Sequence, residues 1–217
     1  MGDCMKYRKV LIVILLVSIS MVYQIHSDNH KIIEKYVVVI DPGHGGMDQG
    51  ASRDGVYEED INFQVALYLK QLLEANDITV VMTRTTDVDL ANDTSDNRKR
   101  EDLKQRVSIM DTANVFVSIH MNISDDIRVV GSQVFYGSEQ SLVLADMIQD
   151  ELKKLNQSKF HSKKGDYYIL NQTKAIGVIV ECGFLSNVNE RKRLQDTKYQ
   201  EQLAYAICKG ILAYKNG

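Results

Sequence analysis

With 217 residues, 44% of them hydrophobic and 25% charged, the chain has material for one globular domain with a real core and not for two. A formal charge of −3 at pH 7 gives no general electrostatic reason to hold nucleic acid, and three cysteines are too few for a disulfide framework.

The amino terminus differs in kind from the rest. Lys6, Arg8 and Lys9 precede an apolar run from Val10 to about Val22, and a polar stretch from Gln24 to His30 follows. Residues 1–30 therefore read as an export segment with a short linker: a signal peptide cut near Ser18-Ile19-Ser20, or an uncleaved membrane anchor. The anchor is slightly favoured, because that cut truncates the apolar run. Cys4 lies ahead of the run, so it is not the acylated cysteine of a lipoprotein signal. Residues 31–217 are expected to be the folded domain, with Cys182 and Cys208 as buried thiols rather than a bridge.

Val37, Val38, Val39 and Ile40 are β-branched without polar alternation, the pattern of a strand buried on both faces. The run stops at Asp41-Pro42 and opens into a loop in which Gly43, Gly45 and Gly46 let the backbone turn tightly around His44. No Lys-Ser or Lys-Thr follows, which disfavours a phosphate cradle. From Glu58 to about Ala75, Ile61, Val65, Tyr68, Leu69 and Leu72 recur at helical spacing, and Asn76-Asp77 closes the helix. Ile78 to Thr83 predicts a second strand, Thr85 to Asn97 a long polar loop, and Arg98 to about Asp111 a helix through Leu103, Val107 and Met110. A third buried strand, Val115 to Ile119, runs into His120-Met121-Asn122.

Gly131 to Tyr136 alternates more and predicts an antiparallel edge strand. Ser138 is placed to cap a helix reaching about Leu155, and Lys159 to Asp166 is a basic connection. Tyr167 to Leu170 predicts a short strand, and Ile176 to Val180 a buried one ending at Glu181-Cys182-Gly183-Phe184. A last helix, about Lys198 to Lys215, buries Leu203, Ile207, Ile211 and Tyr214. Strands alternating with helices predict a single α/β domain with a largely parallel mixed sheet of about six strands, flanked by helices on both faces.

Three of these strands end in a side chain able to bind or work with a metal: His44, His120 and Glu181. Parallel strands bring their C-terminal ends to one edge, where residues distant in sequence meet. Glu58 opens a helix and can turn back onto that edge. Each residue alone has an ordinary explanation. A strand-end histidine is more often structural, Glu58, Glu59 and Asp60 suit the positive end of a helix dipole, and Glu181 can pair with an arginine. Their common placement carries the argument. Two histidines and a carboxylate, with water in a fourth position, make a catalytic zinc site, and a further carboxylate nearby can act as a base. His26 and His30 in the linker and His161 in a polar loop have no such placement.

From Tyr36 to Tyr214 the chain resembles the zinc-dependent N-acetylmuramoyl-L-alanine amidases of the amidase-3 type. Four motifs match in order: Asp41 to Gly46 with Gly50-Ala51, Glu58 to Asn62, Ser118 to Asn122, and Val180 to Asn187; Thr83-Arg84 and Leu103 to Val107 also fit. The resemblance implies Zn2+ held by His44, Glu58 and His120, with Glu181 as the catalytic carboxylate. It implies a peptidoglycan substrate, cut at the amide between the lactyl group of N-acetylmuramic acid and the L-alanine of the stem peptide. The family usually has Glu-Lys-Asp where this chain has Glu58-Glu59-Asp60, so position assigns the ligand to Glu58, and Glu59 adds a negative charge. Asp111 stands where asparagine is common. Asp41 or Asn122, adjacent to the ligands, is expected to orient one of them.

The long loop before Arg98 and the absence of a wall-binding repeat resemble the sporulation branch, which processes spore cortex for germination enzymes to recognise. The protein is then expected outside the cytoplasm, anchored or secreted, with an activating protein partner as a further expectation. Two rivals stand beside this reading. A carboxylate-pair glycosidase would use Glu58 and Glu181 but leaves both histidines without a purpose, and a catalytically weak wall-binding module has no use for all four residues.

Overall fold

A computed structural model of the chain describes residues 17, 18, 21, 35–92 and 95–217, so the expected export segment lies almost wholly outside the described residues. The elements run β1 (Val37–Pro42), β2 (Ser52–Arg53), β3 (Val56–Tyr57), α1 (Glu58–Glu74), β4 (Thr79–Met82), α2 (Arg98–Met110) and β5 (Val115–Asn122). Then follow β6 (Gln133–Tyr136), α3 (Glu139–Asn156), β7 (Lys163–Lys164), α4 (Tyr168–Gln172), β8 (Ile176–Phe184), α5 (Val188–Leu194) and α6 (Thr197–Asn216). Among the described residues no helix is long and apolar enough to cross a membrane.

Six strands form one sheet in the order β4-β1-β5-β8-β6-β7; the first four are mutually parallel, and β6 is antiparallel to β8. Alternation along the strands sorts the core onto two faces. Val38, Ile40, Val115, Val117, Ile119, Val178 and Val180 join Leu69 of α1, Ile148 of α3 and Ile207 of α6. Val39, Phe116 and Ile179 point the other way, against Met110 of α2 and Ile169 of α4. Helices therefore cover both faces, as expected.

The same alternation positions the site. Asp41 continues the series of Val39, Ser118 and His120 that of Phe116, and Glu181 that of Ile179. The α2/α4 face is thus apolar in its first half and polar in its second. β5 runs on to Asn122 and β8 to Phe184, so His120 and Glu181 lie inside strands rather than just beyond them, and the sheet register sets them side by side.

Some local expectations fail for identifiable reasons. Tyr167 to Leu170 is not a strand but the start of α4. Ile169 and Leu170 are consecutive and both buried in the smaller cluster, which a helical turn permits and strand alternation does not. β6 is antiparallel as expected, yet β7, inside the predicted connection, covers its edge. Ser138 occupies the cap position of α3 without a side-chain capping bond. Helix α5 was not anticipated: its sequence is mostly polar, and its main signal is Asn187, which accepts from the N–H groups of Asn189 and Glu190. Cys182 and Cys208 are free and buried.

The segment between β4 and α2 contains no helix or strand among its described residues, and it is tied down at several points. Arg98 Nη2 donates to both Asp89 carboxylate oxygens at 2.7 and 2.9 Å, and Leu90 N donates to Asp102 Oδ1 at 2.8 Å. Gly46 N donates to Asp87 Oδ1 at 2.6 Å, which fastens the segment to the loop that bears His44.

Candidate metal centre

His44, Glu58 and His120 each offer one donor atom, and the three donors lie within 4.8 Å of one another. Glu58 is the hub. Its Oε1 is 2.9 Å from His120 Nδ1, and its Oε2 is 3.3 Å from His44 Nε2. Donors about 2.1 Å from one tetrahedral zinc stand roughly 3.4 Å apart, so the set suits that ion with little rearrangement. Glu59 is not among these donors.

Backbone and helix geometry hold Glu58 in place. As the first residue of α1 it accepts from Ala51 N at 2.8 Å and Met121 N at 3.0 Å, and from Asn62 Nδ2, one turn along the helix, at 3.3 Å. Burial alone raises a carboxyl's pKa, but the hydrogen bonds and charges of His120 and His44 overcome it and hold Glu58 well below the usual carboxylate range. It is ionised, as a ligand must be.

His44 sits in the left-handed region at φ 62°, unusual for a residue with a side chain. Asp48 Oδ2 stands 3.0 Å from its Nδ1, which leaves Nε2 directed at Glu58. Burial lowers the His44 pKa, while Glu58 and Asp48 outweigh that and raise it. A carboxylate behind a ligating imidazole fixes ring orientation and strengthens the donor. Asp48 escaped the sequence reading, although its spacing from His44 within a glycine-rich loop was the available clue.

Two glycines make the space. A Cβ on Gly43 would come within 2.2 to 2.7 Å of three atoms of the His120 ring, and one on Gly50 within 2.6 Å of Glu58 Oε2 and His44 Cδ2. Gly43→Ala is therefore expected to fold and to bind zinc about 10- to 100-fold more weakly, the usual cost of disturbing a ligand's support. Zinc titration against a competing chelator, with circular dichroism as the folding control, measures it.

Asp41 and Asn122, expected to orient ligands, do not hydrogen-bond to any ligand side chain. Asp41 is buried and accepts from Thr83 Oγ1 at 2.6 Å, Ser118 Oγ at 2.6 Å and Arg106 Nη1 at 2.7 Å. Arg106 in turn donates to the carbonyls of Pro42 and His44, at 2.9 and 2.7 Å. Asp41 thus acts on the His44 backbone through Arg106. Arg84 adds a second clamp, donating to the carbonyls of Pro42 at 3.1 Å and Gly43 at 3.3 Å. Asn122 joins strand ends instead: its carbonyl accepts from Leu185 N and its side chain from Ile123 N.

Glu181 is buried, and its Oε2 has no hydrogen-bond partner. A carboxylate left so is costly unless something else is meant to meet it. Burial pushes its pKa up to about 7; the positive charges of His120 and His44 oppose the rise, and Glu58 adds to it. The buried carboxyl beside the three donors is suited to moving protons near neutrality. Glu59, the departure from the usual motif, is buried in α1's first turn. Burial raises its pKa, and Asp87 and Asp60 raise it further.

The amidase-3 family model, described as N-acetylmuramoyl-L-alanine amidase, matches residues 38–213. A germination-specific N-acetylmuramoyl-L-alanine amidase of Bacillus subtilis strain 168 is 37% identical over 188 residues, covering 82% of this chain and 79% of that one. The probable cell wall amidase LytH of Staphylococcus aureus is 31% identical over 181 residues; the match spans 82% of this chain and 57% of that protein. The solved structure of the CwlD amidase from Clostridioides difficile in complex with the GerS lipoprotein superposes with a TM-score of 0.80 at 36% identity, covering 84% of this chain and 99% of that one.

Proposed function

The chain belongs to the N-acetylmuramoyl-L-alanine amidase family, and on that premise we propose that His44, Glu58 and His120 hold zinc while Glu181 serves as the base in cleavage of the bond between the muramic lactyl group and L-alanine. The observation that carries the proposal is one sheet edge where four separate segments bring three donors within 4.8 Å and set an unpartnered buried carboxylate beside them.

Zinc bound there supplies Lewis acidity, enough to bring the pKa of a bound water to roughly 7. The chain's own residues do the rest. Glu181 takes one proton from the attacking water as oxygen bonds to the carbonyl carbon. It then delivers that proton to the alanine nitrogen as the carbon–nitrogen bond breaks, and the second proton of the water passes to the released amine, so a carboxylate and an ammonium group leave. Glu58 stays ionised throughout, enclosed by two imidazoles and three further donors. That enclosure disfavours the glycosidase alternative, in which the ionised carboxylate needs an oxygen free to act as nucleophile or base.

Residues 31–217 form the catalytic domain in this reading, with residues 1–30 as the export segment or anchor that puts it outside the cytoplasm. The germination-specific relative supports a role in germination; on that reading the substrate is spore cortex, and removal of stem peptides there would prepare muramic-lactam formation. The relative solved with a lipoprotein supports an activating protein partner. Full zinc occupancy of the purified protein at one ion per chain, lost in Glu58→Ala and His120→Ala, is the expected result of metal analysis. Undiminished occupancy in both variants would remove the ligand assignment.

A further inference from the structure

A cavity of about 620 Å³ opens at the sheet edge that carries the metal centre, lined by Arg53, Ile123, Ser124, Asp125, Ile127 and Ser186. Its walls are prearranged. Ser124 N donates to Ser186 Oγ at 3.1 Å, and Asn187 Nδ2 donates to Ile127 O at 2.7 Å, which fixes the loop after β5 against the end of β8. On the other side the β2–β3 hairpin is tied to α5 by an ion pair between Asp54 and Arg191. The side chains of Arg53 and Asp125 are exposed, of opposite charge, and make no hydrogen bond or ion pair among the described residues.

The cavity and the metal centre lie at the same end of the strands. Ser124 follows His120 by four residues and so lies within about 14 Å of it, while Arg53 is two residues from Ala51, whose N–H touches the Glu58 carboxylate. The third residue of an extended stem peptide lies roughly 10 Å from the amide that precedes the first. In many cell walls that residue is a diamino acid bearing a free carboxylate and an ammonium group. A pocket with one unpaired cation and one unpaired anion complements such a zwitterion.

We infer that this cavity is the subsite for the third stem residue, with Arg53 receiving its side-chain carboxylate and Asp125 its ammonium group. The inference rests on the amidase reading and adds a specificity. Arg53 selects stems carrying diaminopimelate over stems carrying lysine, which has the amine and lacks the carboxylate.

The test uses two soluble muropeptides with tripeptide stems, identical except for diaminopimelate or lysine at the third position, and the two free tripeptides as binding probes. The zinc-loaded wild type is expected to favour diaminopimelate about tenfold, both in kcat/KM and in calorimetric affinity for the free tripeptide. Arg53→Gln is expected to remove that preference by losing affinity for the diaminopimelate stem alone, while the lysine stem is handled as before. Asp125→Asn is expected to weaken both. An unchanged preference in Arg53→Gln, or equal affinity of the wild type for both tripeptides, overturns the subsite. Binding is read separately from cleavage: absence of hydrolysis in every protein would fault the amidase reading, while the tripeptide affinities would still decide the subsite.

Discussion

Glu181→Gln is expected to bind zinc as the wild type does and to lose about 100- to 10,000-fold in kcat, the usual contribution of a positioned base. Glu181 touches none of the donors through a hydrogen bond and lies in register with His120 on the neighbouring strand, so neutralising it leaves the ligand set intact. The glutamine is nearly isosteric, which separates lost chemistry from lost packing. The pH profile gives a second reading. Burial pushes the Glu181 pKa up to about 7, and a bound dication acts in the opposite sense. In the zinc-loaded enzyme the acid limb of kcat/KM is therefore expected below that value, and it should vanish in Glu181→Gln. Retention of activity within tenfold of wild type would remove Glu181 as the base.

Arg106→Leu is expected to destabilise the fold by about 3–5 kcal/mol, because it leaves the Asp41 carboxylate buried without its counter-ion. The same change frees the carbonyls of Pro42 and His44, so zinc affinity should fall along with stability. Urea unfolding of the metal-free protein isolates the first effect, and chelator competition the second. Acid adds a check of sign. Burial raises the Asp41 pKa, but Arg106, Ser118 and Thr83 outweigh it and hold the carboxyl below its ordinary value of 3.8. A depressed carboxyl contributes stability that is present above its ordinary pKa and lost as pH falls through the folded value. Asp41 is thus expected to steepen acid unfolding of the wild type below about pH 4, and less so in Arg106→Leu. Unaltered urea stability in Arg106→Leu would contradict the paired-charge account.

The sheet was legible because its strands are uninterrupted β-branched runs, a pattern that needs no tertiary knowledge. The two histidine donors were legible as residues placed at the ends of such runs, and the family motif separated Glu58 from Glu59 at the start of a helix. What supports them was not. Arg106 falls within Leu103 to Val107, a stretch that fits the family, yet its role has no sequence signal; packing of α2 against the sheet turns it toward Asp41 and the His44 carbonyl. Asp48 and Asn62 stand four residues from His44 and Glu58, a spacing that acquires meaning once the loop and helix geometry are known. The error over Tyr167 to Leu170 has the same source. Short apolar runs suit a strand and a helical turn equally, and burial of both Ile169 and Leu170 decided between them.

The most direct test of the central claim is product analysis of purified peptidoglycan, spore cortex included, digested by the zinc-loaded protein with and without chelator. The account predicts free stem peptides beginning at L-alanine, one new amino group for each amide cut, and no release once the metal is removed. New reducing ends without free alanine, or release that persists in chelator, would contradict it.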